Sequence, residues 1–159
     1  MIGGGNSALV EAMMLSEICA EVLIVQNLPT LTGEAKMIRA LESKANVKII
    51  YNTVVKGFAI TDGTLSGVKL CNTADAAEYT ESVDGIFVAI GHAPENKPFE
   101  NITALNEYGY IIADERCLTD TAGVFVAGDC RTKTVRQITT ATADGAVAAL
   151  AACRYIDKI

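Results

Sequence analysis

The chain has 159 residues, half of them apolar, and its 13 basic and 19 acidic side chains give a formal net charge of −6. These values allow one domain or two small ones with a sizeable core. The acidic balance, without any basic cluster, argues against a nucleic-acid-binding surface. No apolar run reaches membrane-spanning length and no signal peptide precedes the first glycines, so we expect a cytoplasmic chain without a membrane segment.

Five cysteines are scattered along the sequence, and no two of them are spaced as CxxC. An odd number without that spacing argues against a disulfide framework or a zinc site and is typical of a reducing compartment. We expect each to be a small buried apolar residue. They are Cys19, Cys71, Cys117, Cys130 and Cys153.

The first part of the chain alternates between helix and strand patterns. The opening "MIGGGNSALVEAMM" predicts a glycine turn followed by a helix, with Asn6 or Ser7 as its cap. "EVLIV" predicts a buried strand, "GEAKMIRALESK" a second helix and "VKIIY" another strand. "NTVVKGFAITDGTLSGVKLC" predicts two antiparallel strands around the turn "TDGT", and the apolar run "GIFVAIG" ends at Gly91. Strand, glycine turn, helix and strand form a βαβ unit, so the predicted fold is α/β, a Rossmann-like parallel sheet with a β-hairpin excursion.

The composition of the sequence changes after Gly91. "HAPENKPFE" is polar and carries two of the three prolines, which predicts a domain crossing between residues 1–92 and 93–159. "YGYIIAD" and "GVFVAGDC" predict short strands, and a helix is expected from about Arg136 to Tyr155. Its expected inner face is mostly small: Ile138, Ala141, Gly145, Ala148 and Ala152.

The glycine turn has the spacing of a dinucleotide-binding fingerprint. Gly3, Gly5 and Ala8 match G-x-G-x-x-A, in which the first glycine permits the turn and the second lets a pyrophosphate approach the backbone. The small third residue lets helix and strand pack closely, and free N–H groups at the helix start hold the anion. The alternative is a glycine turn that only connects sheet to helix.

The segment after the second strand bears on cofactor choice. An acidic residue there binds the ribose hydroxyls of NAD, whereas arginines bind the additional phosphate of NADP. In "VQNLPTLTGE", Gln26, Asn27 and Leu28 provide neither group. The sequence therefore disfavours NADP and leaves NAD possible.

A second motif lies in "GVFVAGDC" and "RTKTVRQITTATADG". Asp129 comes directly after Gly128 at the end of a predicted strand, where its carboxylate can accept hydrogen bonds from a polyol. The helix that begins near Arg136 and Gln137 presents free backbone N–H groups. Hydrogen-bond donors of this kind tune the electronic properties of a flavin ring. A surface aspartate followed by a capped helix would show the same pattern.

Four stretches, "GGGNSALVEA", "GIFVAIGHAPEN", "GVFVAGDC" and "RQITTATADG", resemble in order and spacing the bacterial low-molecular-weight thioredoxin reductases. The resemblance implies a nicotinamide domain followed by the C-terminal part of an FAD domain. It also implies electron flow from NADPH to FAD, then to a CxxC disulfide and thioredoxin, in a homodimer.

Site residues follow from this resemblance by position. Near the nicotinamide cofactor it places Gly3, Gly5, Asn6, Ser7 and Ala8, with Ile90, Gly91 and His92 at its far end. Near FAD it places Gly128 and Asp129 at the ribityl chain and Arg136, Gln137 and Ile138 against the ring. The alternatives are a surface loop for His92, a turn or helix cap for Asp129 and a solvated charge for Arg136.

Three departures from the family pattern limit what the resemblance implies. The redox CxxC and the N-terminal FAD fingerprint are both absent from this sequence, which predicts a truncated chain with weak or no FAD retention. The same absence predicts that Val124, Phe125 and Val126 are exposed or buried in an oligomer. Asn27, Leu28 and Thr32 stand where the family has its NADP-phosphate arginines, which predicts another electron donor such as NADH or reduced ferredoxin. The alternatives are a peroxiredoxin reductase, a ferredoxin-linked reductase or a non-catalytic nucleotide-binding module.

Overall fold

The computed structural model describes residues 1–158, which divide after Gly91 into an N-terminal and a C-terminal unit. In the N-terminal unit the order is α1 (Asn6–Ile18), β1 (Val22–Val25), α2 (Ala35–Glu42) and β2 (Val47–Ile50). β1 and β2 pair in parallel, with Val22 opposite Val47 and Val25 opposite Ile50. The helix and strand patterns of this part are confirmed, with ends that differ by a few residues.

Ile2 extends this parallel sheet by a single bridge on each side. It pairs in parallel with Val25 and with Val88, and its N–H donates to the Phe87 carbonyl (2.8 Å). The order across the sheet is therefore β2, β1, Ile2 and Val88. That is the order of one half of a doubly wound α/β fold, in which the first chain segment lies in the middle.

The core of this sheet is built by the apolar face of α1. Leu9 and Ala12 of α1, Ile24 of β1 and Leu41 of α2 are fully buried together. Leu9 and Ala12 are three residues apart and therefore lie on one face of α1, and burial of that face drives packing onto the sheet. α1 is thereby fixed with its first turn next to the glycines.

An antiparallel sheet follows, made of β3 (Thr53–Thr61), β4 (Thr64–Asn72) and β5 (Glu78–Glu81). β3 and β4 meet at Asp62 and Gly63, which both have positive φ (51° and 76°), as a tight hairpin turn requires. The predicted hairpin is confirmed. Val68 and Leu70 of β4 are buried against Val25, which attaches this sheet to the parallel one.

The C-terminal unit contains a 3₁₀ turn at Lys97–Phe99 and one long helix, α3 (Ile138–Ile156). The strands predicted for "YGYIIAD" and "GVFVAGDC" are wrong for this structure. Residues 92–158 hold only single bridges there, namely Leu105 with Ile111, Ile111 with Arg131, and Leu118 with Phe125. The β-branched residues are present, but within the described residues of this unit they form isolated bridges rather than a ladder.

The predicted inner face of α3 is also wrong in part. Asp144 is the buried residue of this helix, whereas Ile138 is 86% exposed and Gly145 is exposed. The helix is turned so that Asp144 meets buried cations instead of solvent. Val126 is buried and Val124 and Phe125 are half-buried, which differs from the expected exposure of this segment.

Two of the cysteines depart from the expected burial. Cys71 and Cys117 are buried and Cys130 is partly buried, whereas Cys19 and Cys153 are exposed. No helix within residues 1–158 is both long and apolar enough to cross a bilayer.

Candidate functional site

The first glycine of the turn is required by its own backbone. Gly3 has φ +123°, and a Cβ built on it would lie 2.2 Å from the Ala89 carbonyl oxygen. Side chains rarely adopt this φ, and the approaching atom belongs to the backbone of the neighbouring sheet segment. The turn therefore brings residues 3–5 across the carboxyl end of β1, as the fingerprint predicts.

Replacing Gly3 by alanine is expected to lower the free energy of unfolding by about 2–3 kcal/mol, because strained backbone and a clash with Ala89 act together. Urea denaturation of the whole chain measures this change. Gly85 is exposed, and a Cβ there would meet no atom within 4 Å, so Gly85→Ala is the matched control. Equal stability of the two variants would contradict the packing assigned to Gly3.

The second glycine of the fingerprint is not required by the protein itself. Gly5 has an ordinary extended backbone (φ −85°, ψ 179°), and the nearest atom to a Cβ there would be the Thr32 hydroxyl oxygen, 3.9 Å away. The missing side chain therefore leaves open space at the start of α1. This space is where the fingerprint lets a pyrophosphate approach the backbone, so the residues present fit a dinucleotide.

The start of α1 leaves its first N–H groups available. Gly5 is the N-cap, and no side chain among the described residues caps the helix. The first helical bond runs from the Leu9 N–H to the Gly5 carbonyl (3.0 Å), so the amides before Leu9 are not used inside the helix. The predicted cap at Asn6 or Ser7 is wrong, because the Asn6 Oδ1 instead accepts the Glu34 N–H (2.7 Å).

A cleft of about 610 Å³ opens beside this turn, entirely within the N-terminal unit. It brings together six residues predicted for the nicotinamide site: Gly3, Gly5, Asn6, Ser7, Ile90 and Gly91. Ala8 is fully buried beneath the turn and does not line the cleft. His92 begins the C-terminal unit and is exposed there. Sequence reasoning missed Gly4 and the start of β3 (residues 53–55), which also line the cleft.

Charged side chains are absent from the described residues that line this cleft. Gln26 at the end of β1 is only 3% exposed, and its Nε2 donates to the Thr30 carbonyl (3.0 Å). Asn27, Leu28 and Thr32 line the cleft next to it. An anion in this cleft would therefore be held by backbone N–H groups and the dipole of α1 rather than by a lysine or arginine.

The second predicted group of residues lies in the C-terminal unit around Gly128. Gly128 has φ +89°, and Asp129 after it is exposed. The Arg136 guanidinium lies 4.0 Å from the centre of the Tyr110 ring, a cation–π contact, and its Nε approaches the Asp129 carbonyl (3.4 Å). Arg136 is therefore a packed side chain rather than a freely solvated charge.

The first turn of α3, unlike that of α1, has a capping box between Gln137 and Thr140, which leaves the amides of Ile138 and Thr139 without a helical partner. Gln137 is the N-cap, and its N–H donates to the Thr140 hydroxyl (3.1 Å), while the first helical bond is from Ala141 N–H to the Gln137 carbonyl (2.9 Å). Ile138 is a large apolar side chain left exposed at this turn. Free amides beside an exposed apolar residue and the Asp129 carboxylate fit the polar edge, ring and polyol of a flavin.

A buried ionic cluster beneath Gly128 escaped the sequence reasoning. Asp144 accepts hydrogen bonds from the Arg131 Nε and Nη2 (both 2.8 Å) and from the Lys133 Nζ (2.8 Å). Hydrogen bonding to Arg131 and Lys133 holds the pKa of the Asp144 carboxyl well below its usual range, and the same contact raises the pKa of Arg131. Asp144 is the only acidic residue of α3, which was the available signal.

The comparisons with known proteins decide the family. The model of the pyridine nucleotide-disulphide oxidoreductase family matches residues 1–145. The chain belongs to this family. The resemblance to thioredoxin reductases and the α/β fold with Rossmann-like parts are confirmed.

Several relatives within the pyridine nucleotide-disulphide oxidoreductase family are similar over the whole chain. The Bacillus subtilis thioredoxin reductase is 35% identical over 159 residues, which are 100% of this chain and 50% of that protein. The "34.2 kDa protein in rubredoxin operon" of Clostridium pasteurianum is 35% identical over 156 residues, 98% of this chain and 50% of that protein. The chain thus spans about half the length of the curated relatives it matches.

Solved structures of thioredoxin reductases share the fold. The Lactococcus lactis enzyme in its FR conformation superposes with a TM-score of 0.86 at 29% identity, covering 99% of this chain and 52% of that one. The enzyme from T. acidophilum gives a TM-score of 0.82 at 31% identity, covering 99% of this chain and 51% of that one. The chain therefore shares the fold of about half of each of these solved enzymes.

Proposed function

We propose that the N-terminal unit binds a nicotinamide dinucleotide at the glycine turn, with NADH preferred to NADPH. The observation that carries this proposal is the open space at Gly5, because neither the backbone nor the neighbouring atoms of the protein explain a glycine there. The unused amides at the start of α1 and the adjoining cleft supply a place for a pyrophosphate.

The C-terminal unit, in the same proposal, contributes one side of an FAD site. Asp129 would accept hydrogen bonds from the ribityl chain, and the first turn of α3, with Arg136, Gln137 and Ile138, would lie against the ring. The bound nicotinamide and flavin supply hydride transfer. The residues of this chain hold and orient the two groups through backbone amides and the Asp129 carboxylate. Residues 1–92 would form the nicotinamide domain and residues 93–159 the C-terminal segment of the FAD domain.

The whole-protein activity proposed is that of a thioredoxin-reductase-like disulfide oxidoreductase. Relatives that match the full chain are named thioredoxin reductases, which supports thioredoxin or a similar small redox protein as partner. The working form in this proposal is a cytoplasmic homodimer. A dithiol step would need cysteines beyond these 159 residues, because no CxxC occurs in them.

A second candidate concerns the electron donor. Asn27, Leu28 and Thr32 line the cleft without any charge that could pair with a 2′-phosphate. This favours a donor other than NADPH, so a ferredoxin-linked or peroxiredoxin-linked reductase of the same family is the alternative for the whole protein.

Calorimetric titration of the purified chain with NADH and NADPH tests the binding proposal. We expect NADH to bind and NADPH to bind at least about tenfold more weakly, because a dianionic 2′-phosphate would lose water without gaining a cation. Equal affinity for the two nucleotides would contradict the preference. Binding of neither would contradict the nicotinamide site itself.

Leu28→Arg is expected to remove most of this preference by strengthening NADPH binding about tenfold, since a guanidinium pairs with a phosphate by charge-assisted hydrogen bonds. Leu28 is 44% exposed at the cleft, so the longer side chain has room. Leu28→Gln is the matched neutral control and should leave both affinities unchanged. An equal gain with glutamine would show that charge is not the cause.

A further inference from the structure

The carboxylate of Asp144 connects α3 to one short segment of the C-terminal unit, residues 128–133. It accepts the Gly128 N–H (3.0 Å), the Arg131 guanidinium (2.8 Å at both oxygens) and the Lys133 ammonium (2.8 Å). The side chains of Asp144, Arg131 and Lys133 are 8%, 1% and 5% exposed. Charge-assisted bonds in such a buried place are stronger and geometrically more restrictive than those at a surface.

The buried part of this cluster carries two positive charges and one negative charge. The two cations, Arg131 and Lys133, face Asp144, and Arg131 also contacts Glu115 (3.2 Å), whose side chain is 86% exposed and therefore screened by water. Asp144 is the only buried anion of the group, and its low pKa keeps it ionised throughout the physiological range. A constant charge of this kind fixes geometry and does not switch with pH.

The Gly128–Asp129 turn is fixed by its backbone on several sides. Besides the bond from Gly128 N–H to Asp144, the Gly128 carbonyl accepts the Arg131 N–H (3.4 Å) and the Asp129 carbonyl faces the Arg136 Nε (3.4 Å). A Cβ at Gly128 would be 3.8 Å from the Ala141 Cβ, so the turn lies against the beginning of α3.

The side chain and the backbone of Asp129 differ in their hydrogen-bond contacts. The residue is exposed, and its carboxylate contacts no donor among residues 1–158. A carboxylate without a protein donor on an otherwise immobilised turn remains able to accept hydrogen bonds from a ligand.

We propose that Asp144 is the positioning residue of the candidate flavin-contact turn: its carboxylate draws the Gly128 amide inward and thereby keeps the Asp129 carboxylate presented beside the start of α3. This inference rests on the proposed function for its ligand, whereas the anchoring itself is a property of the chain alone. Gly128 itself would then contribute no N–H to a ligand, because its N–H is already used.

Amide hydrogen exchange, followed residue by residue by NMR on the full chain, tests the anchoring. Asp144→Ala is expected to raise the exchange rate of Gly128 at least about tenfold relative to that of Val126, whose N–H bonds to the Cys117 carbonyl (3.1 Å) away from the turn. Asp144→Asn should give a smaller rise, since an amide oxygen can still accept the bond. Asp120→Asn, which loses a carboxylate that accepts the Ala104 N–H, should leave the ratio unchanged.

The ratio of the Gly128 exchange rate to the Val126 exchange rate distinguishes a positioning role of Asp144 from a purely stabilising one. If Gly128 and Val126 accelerate equally in Asp144→Ala, Asp144 only stabilises the unit and the positioning role is wrong. Should Asp144→Ala fail to fold, Asp144→Ala combined with Lys133→Met removes the cation left without a partner, and the same ratio is measured there. An unchanged ratio in that double variant would equally overturn the proposal.

A flavin titration separates this inference from the proposed function. FAD binding, followed by quenching of flavin fluorescence, is expected to weaken about tenfold in Asp144→Ala while the NADH affinity stays unchanged. Absence of FAD binding by the wild-type chain would contradict the proposed flavin site, whatever the exchange ratio. FAD binding that is equal in the wild type and in Asp144→Ala would overturn the positioning role and leave the proposed function standing.

Discussion

Gly5→Ala is expected to weaken NADH binding at least about tenfold while the free energy of unfolding stays within about 1 kcal/mol of the wild type. The backbone of Gly5 suits any residue, and an added methyl group would meet no protein atom closer than 3.9 Å. The methyl group would instead occupy the space in which a pyrophosphate approaches the amides of α1. Affinity should therefore fall without a comparable loss of stability.

Calorimetric titration with NADH and urea denaturation of the same samples measure both quantities. Gly85→Ala adds the same methyl group at an exposed site outside the cleft and should leave both quantities unchanged. An unaltered NADH affinity in Gly5→Ala would mean that the open space beside α1 is not a nucleotide site. A large loss of stability would show instead that Gly5 is needed for packing.

Local pattern was sufficient to predict the N-terminal unit. The strand and helix signals around the glycine turn depend on spacing within a few residues, and the hairpin depends on Asp62 and Gly63 alone. The cap of α1 was wrongly predicted because Asn6 had a stronger partner 28 residues away, the Glu34 N–H. A cap can be predicted only where no distant group competes for the same oxygen.

Long-range contacts explain what the sequence did not reveal in the C-terminal unit. The stripe of alanines in α3 predicted an apolar inner face, yet the helix turns Asp144 inward to reach Arg131, 13 residues earlier. Ion pairs of this separation carry no periodicity, so the single acidic residue of α3 was the only signal and it did not identify the partner. "GVFVAGDC" has strand-forming composition, but strand formation needs a partner ladder, which composition does not provide.

The same cluster has consequences for the stability of the C-terminal unit that do not depend on any ligand. Two cations and one carboxylate are withdrawn from water together, so each depends on the others for its hydrogen bonds. Loss of one member leaves the rest buried without compensation. The unit should therefore tolerate changes to the exposed apolar residues of α3 much better than changes to this cluster.

Arg131→Met is expected to lower the free energy of unfolding by about 3–5 kcal/mol at pH 7, because it leaves the Asp144 carboxylate buried with fewer donors. Arg116→Met is the matched control, since Arg116 pairs with Asp114 at the surface and its side chain is 75% exposed. That control should change stability by no more than about 1 kcal/mol. Equal effects of the two substitutions, measured by urea denaturation of the whole chain, would contradict the buried pair.

The pH dependence of this difference gives a second, independent check. Hydrogen bonding to Arg131 is the main reason that the pKa of Asp144 lies below its unfolded value, so the wild-type carboxylate contributes stability above about pH 4 and loses it as the pH falls through the folded pKa. In Arg131→Met the pKa returns toward the ordinary value, although Lys133 and the Gly128 N–H remain. Ionisation of Asp144 therefore contributes less to the free energy of unfolding in Arg131→Met than in the wild type.

The gap in unfolding free energy between wild type and Arg131→Met should therefore be widest near neutral pH and should narrow as the pH is lowered from about 5 toward 2. Asp114 and Asp120 also have lowered pKa values, held mainly by hydrogen bonds to Arg116 and to Thr103, which are unchanged in the variant. Arg131 adds only the smallest contribution at Asp114, so these two carboxyls alter the difference little. Burial raises the pKa of the Cys117 thiol next to this cluster, which keeps it protonated across the acid range. A gap that stays constant or widens in acid would mean that Arg131 does not hold Asp144 in its ionised form.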